Sequence, residues 1–161
     1  MEKGVRTQIG PAAAQSPMVS ALRAARQGAA AGEVPVGAVL VDGRTGEVLA
    51  RAHNRVEELA DPTAHAELLV IQDATRRLGA KRLTEADLYV TLEPCPMCAA
   101  AIALARLRRV YFAAFDPKSG GVDHGPRIFE QKTCHHRPEV VGGLCEAEAA
   151  VLLREFFAAR R

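Results

Sequence analysis

Four side chains in this 161-residue chain have types and spacings that suit chemistry: His65, Glu67, Cys95 and Cys98. The two cysteines stand three positions apart in Pro94-Cys95-Pro96-Met97-Cys98. At the opening of a helix, that spacing puts both sulfurs on one face of the first turn, where unpaired backbone N–H groups favour thiolate over thiol. Two thiolates make half of a zinc site. His65 adds a nitrogen donor, and three protein donors leave the fourth tetrahedral position for water, which distinguishes a catalytic zinc from a closed structural one. Glu67 suits proton transfer to and from that water better than it suits a fourth ligand. Taken alone, Glu67 would be an ordinary carboxylate at a helix start, favoured by the helix dipole. The competing readings of the cysteines are a structural zinc and a redox pair. A structural zinc needs a fourth protein donor, and the chain has no second Cys-x-x-Cys and no nearby His-x-x-x-His to supply it.

The elements that must position these groups can be read from periodicity and turn chemistry. Residues 1–17 are Gly, Pro, Ala, Gln and Ser with scattered charges, and read as a flexible tail preceding one domain over residues 18–161. From Met18 to Ala31 the chain is Ala-rich with Val19 and Leu22 at helical spacing, and Gly32 is a natural stop. Val34 to Val41 is almost wholly apolar, as a strand covered on both faces requires. Asp42 to Gly46 is turn chemistry, and Val48 to Asn54 reads as the returning strand of a hairpin. Asp61-Pro62-Thr63 offers a helix start, with Ala64, Leu68, Ile71 and Thr75 on one stripe and Gly79 at the end. Leu88 to Leu92 reads as a strand running directly into the cysteine helix, which continues through Ala105. Val110 to Phe115 is a further strand, Asp116 to Arg137 a long punctuated segment, Glu139 to Leu144 a possible strand, and Cys145 to Ala159 a closing amphipathic helix. Strands alternating with helices make an α/β architecture.

Bulk composition narrows the class. With 48% hydrophobic and 25% charged residues, the chain can bury one real core. A net charge of +2 is too small to argue for nucleic acid, so such a role would rest on local clusters of Lys and Arg. Four cysteines, two of them in a metal-type spacing, fit a reducing cytoplasm better than a disulfide framework. No apolar run approaches the roughly 18–20 residues of a membrane span, and no secretory signal opens the chain.

His-x-Glu followed by Pro-Cys-x-x-Cys is the signature of the zinc deaminases. Further blocks accompany it: Glu33-Val-Pro-Val-Gly-Ala-Val-Leu-Val41, His53-Asn54-Arg55, Asp61-Pro-Thr-Ala-His-Ala-Glu67, Leu88-Tyr-Val-Thr-Leu-Glu-Pro-Cys95 and the closing Phe156-Phe157 with its arginines. Over residues 18–161 the chain resembles the bacterial tRNA-specific adenosine deaminases of the cytidine/deoxycytidylate deaminase superfamily. That resemblance implies a three-layer α/β/α cytidine-deaminase-like fold with a central mixed five-stranded sheet, a homodimer, one zinc per subunit, and a tRNA anticodon stem-loop as partner. It implies His65, Cys95 and Cys98 as zinc ligands and Glu67 as proton shuttle. The expected reaction is attack of zinc-activated hydroxide on C6 of an adenine, with Glu67 passing the water's proton to the ring and then to the departing ammonia. By position in the matching blocks, Asn54 would hydrogen-bond the base or ribose, the backbone at Ala66 would help to hold the ring, and Val36 and Leu92 would line the pocket.

The stretch Gly121 to Cys134 departs from the Leu-, His- and Pro-rich pattern of that family, and Phe115 stands where some relatives carry a basic residue. In the family this loop touches the anticodon, which makes His135 or His136 a candidate RNA contact. Lys118, Arg137, Arg160 and Arg161 lie in segments that flank the site in relatives, so the resemblance makes them candidates to meet phosphates. Cys134-His135-His136 is a weak metal motif, because adjacent His rings rarely converge on one ion. The Ala99 to Ala105 run offers a close-packing surface for a dimer. Two rival functions remain at this level: a deaminase of free guanine, cytosine or a nucleoside, and a non-catalytic zinc-bearing RNA-binding module.

Overall fold

The computed structural model describes residues 11–161, with side chains from residue 17 onward. Helix α1 spans Pro11–Ala30, so it begins before Met18, and part of the segment expected to be a tail is helical. Pro11 is acceptable in a first turn, and Ala12, Ala13 and Ala14 have high helix propensity, which carries the helix across Pro17. Residues 1–10, the rest of that expected tail, lie outside the described residues. Gly32, at φ +85°, turns the chain away after α1.

Five strands follow: β1 (Gly37–Asp42), β2 (Val48–His53), β3 (Ala86–Leu92), β4 (Arg109–Ala114) and β5 (Glu139–Gly142). They form one sheet in the order β2-β1-β3-β4-β5. β1 is antiparallel to both β2 and β3, whereas β3–β4 and β4–β5 are parallel. The sheet is therefore mixed and five-stranded, as expected.

The remaining helices are α2 (Val56–Leu59), α3 (Ala66–Leu78), α4 (Pro96–Leu104) and α5 (Glu146–Ala158). Alternate strand residues feed two cores. Ala38 and Leu40 of β1, Leu88 and Val90 of β3, and Val110 and Phe112 of β4 pack with Val70 and Ala74 of α3 and Ala99 and Ile102 of α4. Val39, Val41, Tyr89, Tyr111 and Ala113 pack on the opposite face with Met18, Ala21 and Leu22 of α1 and Ala149 of α5. Two covered faces explain why these strands read as unbroken apolar runs. The architecture is three-layered, α/β/α.

Gly37 is required where α1 crosses β1, since a Cβ there would overlap the backbone at Ala21 and Ala25. In the long segment after β4, a single 3-10 turn (Ile128–Glu130) buries Phe129 and gives the loop a small core of its own.

Candidate active site

The sheet directs one set of strand ends to one place. Val36 precedes β1, Asn54 follows β2, Leu92 ends β3 and Asp116 lies just beyond β4. Pairing of Gly37 with His53, and of Leu92 with Ala114, puts these positions at the same edge. Helices α3 and α4 start there too, with His65 and Cys95 as their N-cap residues. Both caps have extended backbone and neither uses its side chain to cap the helix, so the imidazole and the thiol are free for other work. Two helix N-termini give the site a positive bias that favours thiolate.

Cys95 Sγ and Cys98 Sγ lie 3.6 and 3.5 Å from His65 Nδ1, and the three donor atoms lie within 4.8 Å of one another. A tetrahedral zinc with bonds of about 2.3 Å to sulfur and about 2.0–2.1 Å to nitrogen separates S and N by about 3.5–3.6 Å. The donor set therefore fits zinc in type and in spacing. The two thiols share a proton unequally: hydrogen bonding from Cys98 and contact with His65 lower Cys95 to about 4, whereas Cys98 is pushed well up by holding that proton and by burial. A hydrogen bond to Cys95 raises His65 against the effect of its partial burial. A cation replaces the shared proton naturally, because metal binding deprotonates such ligands.

Glu67, in the first turn of α3, is 4% exposed. Burial pushes its carboxyl above the usual range, against the opposing influence of backbone hydrogen bonding and His65. A carboxyl raised in this way is protonated more readily than an exposed one, as a group that must both accept and return a proton requires. It lines a cavity of about 690 Å³ with His65, Cys95, Val36, Asn54 and Leu92. The structure thus brings together six of the residues singled out in the sequence, with Cys98 buried behind them.

Asn54 accepts a hydrogen bond at Oδ1 from the Ala66 N–H, 2.9 Å away. This orients the amide, and Nδ2 makes no hydrogen bond among the described residues, which leaves it available to a ligand. The Ala66 N–H donates to Asn54, and the Ala66 side chain is fully buried. Lys118 is exposed on the turn beyond Asp116, and His135 is exposed in a separate groove with Ala103, Leu104 and Arg106. Neither lines the main cavity. His136 is tied to the Leu107 carbonyl through Nε2 at 2.6 Å, and Cys134 donates to the His136 carbonyl. The only cluster of donors able to hold a metal among the described residues is His65, Cys95 and Cys98.

Sequence reasoning missed the wall of the cavity contributed by Glu33, Val56, Glu57, Glu93 and Asp116. Glu33 is 1% exposed and accepts the N–H groups of Glu57 and Glu58 at 2.8 and 3.1 Å. It caps α2 from 24 residues away, a device that local patterns cannot display. Glu93 adjoins the cysteine motif, and an acid between an apolar strand and Pro-Cys was the available signal. Phe156 and Arg160 of the chain's end complete the lining, with the Arg160 guanidinium 3.4 Å from the centre of the Phe156 ring.

A mixed α/β/α sheet holding a His-Cys-Cys donor set and a buried carboxylate at helix starts defines a zinc-binding deaminase. Residues 12–114 match the family model of the cytidine and deoxycytidylate deaminase zinc-binding region. The chain belongs to this family and is a zinc-dependent hydrolase. It is 57% identical over 145 residues to a tRNA-specific adenosine deaminase of Agrobacterium fabrum (strain C58), covering 89% of this chain and 93% of that protein. It also resembles a solved structure from work on A-to-I editing by tRNA:A34 deaminases at the wobble position of transfer RNA, with a TM-score of 0.84 and 55% identity over 86% of this chain and 99% of that one. A guanine deaminase from Nitrosomonas europaea shares the fold, with a TM-score of 0.75 at 24% identity over 90% of this chain and 85% of that one.

Proposed function

We propose that this protein deaminates adenosine to inosine at the wobble position of a tRNA anticodon. The observation that carries the reading is the buried Glu67 beside the His65, Cys95 and Cys98 donors in a cavity large enough for an extruded nucleotide. Supporting it are the relatives at 55–57% identity whose reaction is A-to-I editing of tRNA. His65, Cys95 and Cys98 would hold zinc, which when bound supplies a Lewis acid that makes hydroxide available near neutral pH. Glu67 accepts the water's proton and delivers it to N1 of the ring as C6 is attacked; it then carries the proton of the new C6 hydroxyl to the amine, so that the C6–N bond breaks, ammonia leaves and C6 becomes a carbonyl. Asn54 Nδ2 donates to the base or its ribose, and Val36 and Leu92 enclose the ring. Extruding the base is inexpensive in an anticodon loop, where the wobble nucleotide is unpaired.

The assembly proposed is a homodimer through α4. That helix is apolar on almost every side, yet Leu104 is 77% exposed and Met97 36% exposed. A second copy covering this face would remove the exposed apolar surface from water. His135 lines one groove with Leu104, which supports an RNA contact close to the proposed subunit boundary. Lys118 meets phosphate on the side of Asp116. No helix among the described residues is long and apolar enough to cross a membrane. Cytoplasmic residence suits cysteines that must stay reduced to bind metal, and all four are free thiols.

The test is to incubate the zinc-loaded protein with an arginine-tRNA anticodon stem-loop bearing adenine at the wobble position, and separately with adenosine, cytidine and guanine. Inosine in the stem-loop alone is the expected result. Ammonia released only from a free base or nucleoside would sink the tRNA reading.

A further inference from the structure

The loop that departs from the family pattern is fastened to the active site by one buried carboxylate. Glu93 is 2% exposed, with its side chain fully covered. Its Oε2 accepts the consecutive N–H groups of Val122, Asp123 and His124 at 3.3, 3.1 and 3.1 Å. Its Oε1 accepts the Asp116 N–H at 3.1 Å and the His124 Nδ1–H at 2.8 Å. Since a carboxylate offers only acceptors, the proton of that last bond belongs to the imidazole. Five donors on one buried acid offset its desolvation, and they hold the carboxyl below the ordinary range although burial acts the other way.

The neighbouring backbone is equally constrained. Glu93 N–H donates to the Ala114 carbonyl at 2.8 Å, and Gly121 N–H to the Pro94 carbonyl at 2.8 Å. A Cβ on Gly120 would overlap the Glu93 carboxylate, and one on Gly121 would meet the backbone of Cys95 and Pro96. The loop therefore lies flush against the turn that presents Cys95. The His124 ring stands edge-on to Phe115, with centroids 6.2 Å apart. Among the contacts that hold the loop, the Nδ1–H bond is the one made by a side chain of the loop itself to Glu93.

We infer that His124 is a positioning residue: by donating to Glu93 it fixes Asp116 on the wall of the substrate cavity and steadies the loop behind Cys95. His124 does not line the cavity, so it acts through Glu93 and Asp116 on substrate binding. The inference rests on the proposed tRNA reading only for the substrate used in its kinetic test. Asparagine is the informative replacement, because its Nδ2–H can donate from nearly the position of imidazole Nδ1.

The experiment compares the zinc-loaded parent, His124→Ala and His124→Asn in three measurements: zinc content, amide hydrogen exchange of residues 122–124, and kcat and KM on the stem-loop. His124→Ala is expected to retain zinc, to speed exchange of these amides at least tenfold, and to raise KM about tenfold while kcat changes less than threefold. These fold-changes match the loss of one hydrogen bond to a charged group. His124→Asn should recover most of both effects. Unchanged exchange and KM in His124→Ala, or an asparagine variant no better than alanine, would overturn the inference. If the parent fails on the stem-loop, the substrate reading falls, and the exchange data with the asparagine rescue still decide the role of His124.

Discussion

At the scale of single residues, the site separates holding from reacting. His65, Cys95 and Cys98 converge because each is a cap or first-turn residue of a helix that starts at the same sheet edge. Glu67 is two residues from His65, buried and raised in pKa by desolvation, which suits an acid that must be charged in one step and protonated in the next. Glu67→Ala should keep zinc at the parent level by metal analysis and lose about 10²–10⁴-fold in kcat. Retained turnover would remove Glu67 from the mechanism, and lost zinc would make it a ligand or a folding residue. Asn54 Oδ1 satisfies the Ala66 N–H at the start of α3, and its proposed second role is to donate from Nδ2 to the substrate. Asn54→Ala leaves that buried donor unpaired and would remove the proposed substrate contact, so a 10- to 100-fold fall in kcat/KM is expected, matching about 1–3 kcal/mol. A thermal melt of the same variant should show a smaller but measurable loss of stability.

At the scale of elements, the catalytic groups depend on how strands and helices end. β3 runs into Pro94 and then Cys95, so the chain turns from strand to helix with Pro96 in the first helical position, where its missing N–H costs nothing. α2 exists because Glu33 supplies two acceptors to its N-terminal amides. Its own N-cap, Arg55, offers no side-chain cap, and so four residues that would not form a helix in isolation do so here. α1 and β1 touch at Gly37 with no room for a methyl group. Gly37→Ala should therefore cost about 1–3 kcal/mol through overpacking, seen as a fall in Tm of roughly 2–12 °C. A melt unchanged from the parent would show that α1 can shift without penalty.

At the scale of the whole molecule, the uncovered side of α4 matters most. A nine-residue helix with buried Cys98, Ala99, Ile102 and Ala103 presents Met97 and Leu104 outward. Leu104→Glu should convert a dimer into a monomer in light scattering at micromolar concentration, because a charge in an apolar interface is left unpaired. Zinc content should not change, since Leu104 lines a groove separate from the cavity that holds His65 and Cys95. A parent protein that is monomeric at the same concentration would refute the α4 interface.

The donor types, the carboxylate beside them, the strands and most helices were legible in the sequence because each rests on local rules: two cysteines one helical turn apart, a His-x-Glu pair, period-2 and period-3.6 apolar patterns, and glycine stops at Gly32 and Gly79. Hidden from those rules were the features that depend on residues meeting across the fold. Glu33 reaches Glu57 and Glu58, Glu93 gathers amides from residues 116–124, and Asn54 takes the Ala66 N–H. Lys118 and His135 lie near the site in the chain pattern but outside the cavity in space. Local chemistry determined which atoms could bind zinc and move protons. Only the tertiary structure decided which buried carboxylates hold that chemistry in place, because an acid loses its water on burial and must find donors wherever the fold brings them.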